Sequence, residues 1–500
     1  MRVPVNIDNS PLIKILPIVV LGILIGDWIE LAWWIAGIGA AVCALCLVAF
    51  RGSALVRTLY GALTIFCTAL TISEINSLST IAPHHQPIEA VVEIIDNSAM
   101  TSGGYNRTTA RIVAVDDGDN QSVVREKIYL ISPTELELGK VYKVAMTIGD
   151  IGGEGYDGYA RVMRRRGYTG SAFVADSNLQ EIENHRVSPL RTLGPRMQRV
   201  AKERLERLAL PPSAMALSEA MTLGIRDGLS SDLKADYSRS GAYHILAVSG
   251  LHIGIISQLI NTLLIPLLII RGGHRVRNTL AIALIWLYTL LTGIAPSAVR
   301  SAVMFSGVQV VHMGSMSRSP INILCGAATI ILLANPNNLF DLSFQLSLIA
   351  VLGIAILYQP IYRLCKCNTQ IINILWRLTA VAIAATIATA PINAHIFGQI
   401  PILGVIISPL VVIAAYIGVA FSVLWMVLPL EGIANGTRWV ITTISSWQNT
   451  MAEFCADKWW IAAKVSLPQM TTIAIYLLAI VGIIVYQQQK AKKLYRYDIQ

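Results

Sequence analysis

The chain has 500 residues, of which 54% are hydrophobic and only 14% charged, with a mean hydropathy of +0.58. Soluble domains carry about 25% charged residues, so this composition excludes a soluble enzyme, a coiled coil and a disordered scaffold. Its long apolar runs indicate a polytopic membrane protein. The net charge is +9, unevenly spread: residues 73–240 hold 20 basic and 22 acidic side chains, whereas the rest of the chain is basic.

In chain order, three spans are expected first, over about 11–26, 31–50 and 53–72. Asp27 and Glu30 and a further span follow the first run, where a signal peptide would show a small-residue cleavage site. Residues 73–240 then read as a water-exposed insert. Between about 86 and 175, β-type runs such as 90–95, 110–115 and 127–131 are separated by turn signals at Gly103-Gly104 and Asp117-Gly118-Asp119. About five such strands predict a small barrel. Residues 190–240 predict amphipathic helices, with Arg196, Arg199, Lys202, Arg204 and Arg207 along the first and Pro211-Pro212 before the second. That basic stripe reads equally well as a headgroup-facing helix and as a nucleic-acid contact.

After the insert come spans over about 242–270, 277–293, 295–314, 321–334, 344–358, 371–392, an irregular 401–429 and 468–487. Several fall short of the ~20 residues that a clean crossing needs, a length tolerated where protein or a water-filled cavity surrounds the helix. Pro401, Gly404 and Pro409 predict that 401–429 is re-entrant or broken. Arg51 with Arg57, the Arg271/Arg275/Arg277 loop, Arg318, Arg363 with Lys366, and the tail Lys490, Lys492, Lys493 and Arg496 mark the inner side. Both termini are then cytoplasmic and residues 73–240 extracytoplasmic. The organisation is 1–72 N-terminal transmembrane helices, 73–185 β-barrel, 186–240 amphipathic helices, 241–488 membrane channel domain and 489–500 basic tail. The fold class is a polytopic α-helical membrane protein of about 10–12 spans or re-entrant helices with an inserted extracytoplasmic β-barrel. The seven cysteines lie in or beside apolar segments and lack zinc-site spacing, so neither metal nor cofactor is expected.

Four clusters carry candidate chemistry. In His244-Ile-Leu-Ala-Val-Ser249-Gly250-Leu-His252-Ile-Gly254, a continuous helix would put Ser249 on one face with His252, and His244 two turns from His252. Gly250 and Gly254 form a GxxxG pair that admits a neighbouring helix. The residues read as a pore lining or gate, or as satisfied packing groups; a Ser–His nucleophile is the enzymatic alternative, without a nearby carboxylate or oxyanion hole. Next, Pro296 opens a helix that places Arg300 one turn inside, among Ser297, Ala298 and Ser301, either snorkelling to headgroups or facing an aqueous vestibule where a guanidinium attracts phosphate. In the third cluster Asp341 caps a helix carrying Gln345 and Ser347. Lastly, His395 lies in an outer connection, as a plain loop or a vestibule rim.

These clusters, in this order, resemble the ComEC-type competence proteins, the inner-membrane DNA-uptake channel family. Residues 223–230, 240–254, 295–302 and 340–347 carry the resemblance. The insert's Gly155-Tyr156-Asp157-Gly-Tyr159-Ala-Arg161-Val-Met-Arg164-Arg165-Arg166-Gly167 resembles the end of that family's extracellular OB-like domain. The resemblance implies a channel carrying single-stranded DNA across the cytoplasmic (inner) membrane in natural transformation. His244, Ser249, Gly250, His252, Gly254, Ser297, Arg300, Asp341, Gln345, Ser347 and His395 would line the path. Tyr156, Tyr159, Arg161, Arg164, Arg165, Arg166 and Tyr168 would bind the strand by stacking and backbone electrostatics. Implied partners are single-stranded DNA, the lipid bilayer, a periplasmic DNA receptor and a cytosolic helicase or single-strand-binding protein, with a homodimer as one assembly. Many members carry a metallo-β-lactamase-like domain after the channel; no His-x-His-x-Asp-His run occurs here, so this chain is expected to lack that nuclease. A secondary transporter of a small anionic or amphiphilic solute, using Arg300 as its substrate site, is the alternative.

Overall fold

The computed structural model describes residues 11–29, 33–49, 54–77, 87–96, 99–100, 104–116, 121–123, 126–151, 160, 163–182, 189–240, 242–314, 319–365, 369–401, 404–456 and 462–497. Three helices come first: α1 (Pro11–Trp28), α2 (Trp33–Ala49) and α3 (Ala54–Ser77). Val19, Ile23 and Ala69 from this group are buried against Ala328, Ile331, Leu332 and Phe344 of later helices, so the N-terminal helices belong to one packed body with the second half of the chain.

The insert forms a twisted sheet. Its strands are β1 (Ile88–Ile94), β2 (Ala99–Met100), β3 (Asn106–Asp116), β4 (Gln121–Val123), β5 (Lys127–Ser132), β6 (Val141–Met146), β7 (Tyr168–Phe173) and β8 (Leu179–Glu181). Alternation decides which face is inside: Ala90, Val92, Ile94, Ile128, Leu130 and Val144 are sealed in one core, and the residues between them face outward. The path runs β7-β5-β3-β1-β6-β8, antiparallel except for the parallel β5–β7 pair. The expected closed barrel is not formed. Among the described residues the sheet is open, and its two sides meet at an isolated bridge where Gly149 and Ser171 exchange backbone hydrogen bonds of 2.9 and 3.0 Å.

Two helices predicted from amphipathic pattern follow, α4 (Pro189–Glu206) and α5 (Pro212–Thr222), then a short α6 (Ser231–Arg239) capped by the Ser230 hydroxyl, which accepts from the Leu233 N–H. The apolar stretch 242–270 is not one span. It holds a 3-10 turn at Tyr243–Leu246, α7 (Gly250–Leu263) and a second 3-10 turn at Ile265–Ile269, because Ser249 takes extended backbone angles as the N-cap of α7. Next come α8 (Gly273–Leu291), α9 (Pro296–Met313), α10 (Pro320–Ala334), α11 (Leu342–Tyr362) and α12 (Gln370–Ile396). Pro296 and Pro320 each occupy the first turn, where a missing N–H costs nothing.

The irregular piece expected at 401–429 is instead a continuous helix, α13 (Gly404–Val427). Pro409 lies close enough to its start that little of the hydrogen-bond ladder is lost. A helix outside the predicted spans, α14 (Glu431–Ala456), returns along it with Thr437, Ser445 and Gln448 buried. β9 (Gln399–Pro401) and β10 (Ala462–Lys464) pair as a small ribbon, and α15 (Gln469–Tyr497) follows.

Among the described residues, four helices are long and apolar enough to cross a membrane: Thr58–Ile75, Leu342–Tyr362, Gln370–Ile396 and Pro409–Val427. Trp33–Val48, Gly250–Leu263, Pro320–Ala334 and Gln469–Ile483 are apolar but shorter. The largest core lies among α5, α7, α8, α9, α13 and α14.

Close packing of α11 on α12 depends on Gly353, where an added methyl would run into Ala388 Cβ and lie 3.1 Å from the Ala384 carbonyl oxygen. Gly353→Val is therefore expected to destabilise the protein by about 1–3 kcal/mol through overpacking. Thermal unfolding of the purified protein in detergent checks this; an unchanged midpoint would mean that the two helices separate at no cost.

Candidate functional site

The site is built where the insert touches the helices. The helical residues 163–165 and the turn after them carry three consecutive arginines, Arg164, Arg165 and Arg166, and each meets a carboxylate. Arg164 pairs with Asp150 at 2.9 Å within the insert. Arg165 reaches Asp27, at the end of α1, at 2.9 Å, and its guanidinium lies over the Phe340 ring with 3.6 Å to the centroid. Arg166 donates from both Nε and Nη2 to one oxygen of Asp341, at 3.1 and 2.6 Å. Each charge also answers a helix dipole: Arg165 offsets Asp27 at the negative end of α1, and Asp341 sits at the positive end of α11.

Asp341 has two roles. Its other oxygen accepts from the backbone N–H groups of Ser343 and Phe344, at 2.8 and 3.2 Å, as the N-cap of α11. Desolvation pushes its carboxyl up from the usual 3.8, but the hydrogen bonds and charge of Arg166, with the two backbone donors, outweigh this and hold it below that value. The polar chain continues inward. Arg300 is buried and donates from Nη2 to the Ser343 hydroxyl at 2.6 Å, while its buried Nε has no hydrogen-bond partner among the described residues. Arg165, Arg166, Asn335, Asn337, Asn338, Phe340 and Asp341 surround an open pocket at this seam.

The cluster at the start of α7 is arranged differently from the expectation of one long helix. His244 is exposed and lies in the separate 3-10 turn, not on the helix that carries His252. Ser249 and His252 are joined: the Ser249 N–H donates to Nδ1 at 3.0 Å and Oγ lies 3.0 Å from the same atom. In the neutral ring this puts the proton on Nε2, which is buried without a partner among the described residues. Gly250 and Gly254 both face α9, where added methyls would meet Ser301 Oγ at 3.0 Å and Phe305 Cζ at 3.1 Å, the close approach that GxxxG allows. Ser297 donates to the Val248 carbonyl at 2.6 Å and so ties α9 to the turn before α7.

The remaining path candidates hold connections. Gln345 donates to the Leu339 carbonyl at 2.9 Å, Ser347 is half-buried on α11, and His395 Nδ1 lies 2.9 Å from the Leu467 carbonyl oxygen. Tyr156, Tyr159 and Arg161 lie outside the described residues.

Tyr168 belongs to a surface that the motif reading missed. It stacks on Tyr129, with centroids 4.5 Å apart and planes inclined at 17°. Arg107 lies over the Tyr129 ring at 5.2 Å and Lys127 over the Tyr168 ring at 5.6 Å. Tyr105 and Phe173, both exposed, meet edge to face alongside. Register explains why these groups gather: Lys127 pairs with Tyr168 and Arg111, and Ile131 with Arg107 and Phe173, all on the face opposite the buried Ile128 and Leu130. The alternation of Lys127 and Tyr129 with those apolar residues was the available signal.

The profile of a family described as Competence protein matches residues 221–490. The ComE operon protein 3 of Bacillus subtilis (strain 168) is 34% identical over 206 residues, which make up 41% of this chain and 25% of that protein. The match thus spans about a quarter of the relative's length. No solved structure matches the chain.

Because Asp341 ionises more readily when folded, its stabilising contribution is fully present above the unfolded carboxylate value and is lost as pH falls through its folded value. Asp341→Asn keeps the cap but removes the charge. The wild-type protein should unfold at a higher temperature than this variant by a margin that is flat from neutral pH down to about 4 and shrinks below it. The contribution is on the order of 1 kcal/mol, since Arg166 is about half exposed and solvent screens the pair. A margin unchanged in acid would contradict the pairing.

Proposed function

This chain belongs to the competence protein family, and from that premise we propose that it carries single-stranded DNA across the cytoplasmic membrane during DNA uptake. The relative's similarity and the four apolar helices support a membrane protein with a role in competence. In this reading both termini are cytoplasmic and the insert faces outward, where it receives the strand.

The observation that carries the reading is the outer face of the β3–β5–β7 ladder. A single strand offers bases to stack on and phosphates to neutralise, and proteins that hold it without sequence preference supply aromatic platforms beside cations. Tyr129 on Tyr168, Tyr105 on Phe173, and Arg107 and Lys127 over the rings supply both on one face. The strand order supports an OB-like relationship as well. Counting β1, β3, β5, β6 and β7 as five main strands, the order is fifth, third, second, first, fourth, with the only parallel pair between third and fifth. A partly open five-stranded barrel bridged at Gly149 and Ser171 fits that class.

From this face the path leads over Arg165 and Arg166 to Arg300, each a guanidinium suited to phosphate. Bare phosphates in hydrocarbon are prohibitive, so the strand needs a water-filled route. The start of α7 packs beside Arg300 through Gly250 against Ser301, and in this reading the buried His252 supports the wall of that route from behind. The force that draws the strand inward is assigned to a cytosolic helicase or single-strand-binding protein, and delivery to a periplasmic DNA receptor.

Two measurements test the reading. Tyr129→Ala and Tyr168→Ala should each weaken binding of an unstructured single strand to the full-length protein in nanodiscs by roughly 1–3 kcal/mol; unchanged affinity removes the sheet face from the interface. Arg300→Ala should lower transformation frequency in a competent host by more than it lowers the level of folded protein. Parallel loss of both would make Arg300 a packing residue.

A further inference from the structure

Arg165 and Arg166 stand next to each other at the seam, and both are occupied by the protein's own anions. Asp27 receives Arg165 through both oxygens, at 3.1 and 2.9 Å, and Asp341 receives Arg166. Neither pair is sealed. The side chains of Arg165 and Arg166 are 30% and 47% exposed, so dissolved anions reach them. The turn before α11 adds the side chains of Asn335, Asn337 and Asn338 to the same open pocket. Asparagine amides and guanidinium forks are donors suited to a phosphodiester; the one carboxylate lining the pocket is Asp341, and Asp27 reaches it only through its pair with Arg165. Phe340 holds the Arg165 guanidinium flat from below, so that cation keeps a support when Asp27 is displaced. Asp341 keeps its backbone cap on α11 whether or not Arg166 stays. Beyond Ser343, Arg300 waits with a buried Nε that has no partner among the described residues.

We infer that this pocket is a phosphodiester site which Asp27 and Asp341 hold closed, and that an incoming single strand opens it by exchanging its phosphates for the two carboxylates. The inference rests on the strand-transport reading and adds its regulation: the insert is latched to α1 and α11 until a strand arrives. Carboxylate and phosphate compete for the same N–H fork, so the exchange replaces two hydrogen-bonded ion pairs by two others. Released from Arg166, Asp341 remains on its helix and Arg300 is the next cation inward. A lipid headgroup carries the same phosphodiester, and the test separates it from DNA.

The test uses the full-length protein in nanodiscs of zwitterionic phosphatidylcholine, with a fluorescent oligothymidylate of about 20 nucleotides followed by anisotropy at low salt. Asp27→Asn and Asp341→Asn should each bind it about threefold to tenfold more tightly, since each frees an arginine and lifts a repulsive charge. The double change of Arg165→Gln and Arg166→Gln should weaken binding at least tenfold and flatten its salt dependence. Asparagine variants that bind no more tightly than wild type overturn the latch while leaving capture by the sheet intact. Wild type that binds no oligothymidylate overturns capture, and the latch with it. Should Asp341→Asn fail to fold, Asp27→Asn alone decides, because Asp27 is exposed at a helix end. The same variants in discs containing phosphatidylglycerol form the second arm: tighter association with anionic lipid and no gain for the oligothymidylate assigns the pocket to headgroups and overturns the inference.

Discussion

Asp341 gives one carboxylate oxygen to the first turn of its own helix and the other to the guanidinium of Arg166, and the organisation of the seam follows from that division. The cap fixes where α11 begins. Fixing the start of α11 places the exposed Ser343 within reach of the buried Arg300 on α9. The ion pair, with that of Arg165 and Asp27, ties the turn before β7 to the helices. One half-buried carboxylate therefore sets the register of an exposed arginine, a helix start and a buried arginine. Arg165 repeats the arrangement on α1, where Asp27 at a helix C-terminus would otherwise oppose the dipole.

Charge partition explains why this division is needed. The membrane-facing helices carry few carboxylates, and the insert carries many of both signs. On the proposed route an anionic strand would meet a sheet face of aromatics and cations, then Arg165 and Arg166 in their pairs with Asp27 and Asp341, then the buried Arg300. Partly exposed ion pairs contribute little to stability, so Arg165–Asp27 and Arg166–Asp341 join the insert to the helices without locking it. Arg300 differs: it is buried and held by the Ser343 hydroxyl rather than by a carboxylate.

Much of the helical part was legible from apolar runs alone. The ends of α1, α2, α9 and α10 fall close to the predicted ones, because proline at the first turn and charged residues at the ends leave few alternatives. The failures have physical causes. The single span expected at 242–270 breaks because Ser249 and His252 satisfy each other and open a new helix. The break expected at Pro409 does not occur because the proline is near a helix start. α14 escaped notice because Thr437, Ser445 and Gln448 are buried among protein rather than facing lipid, so its composition resembles a loop more than a span. At the site, the arginine run and Asp341 stood out in the sequence, but Arg165 and Arg166 find their carboxylates 138 and 175 positions away. No spacing rule reaches that far. The stacked Tyr129 and Tyr168 were readable in part, through a strict alternation with Ile128 and Leu130, yet their meeting required the parallel β5–β7 register.

The central claim is that a DNA strand passes over the seam and on to Arg300. It is tested most directly by photocrosslinking a strand halted in transit. A photoreactive residue is placed at Asn338, at Ser297 or on the distant face of α15 in a competent strain, and single-stranded DNA is stalled by a bulky group at its trailing end. The account predicts crosslinks at Asn338 and Ser297 that disappear in Arg166→Asp, with none on α15. Crosslinks absent from Asn338 and Ser297, while the stalled strand is demonstrably held by the protein, would contradict it.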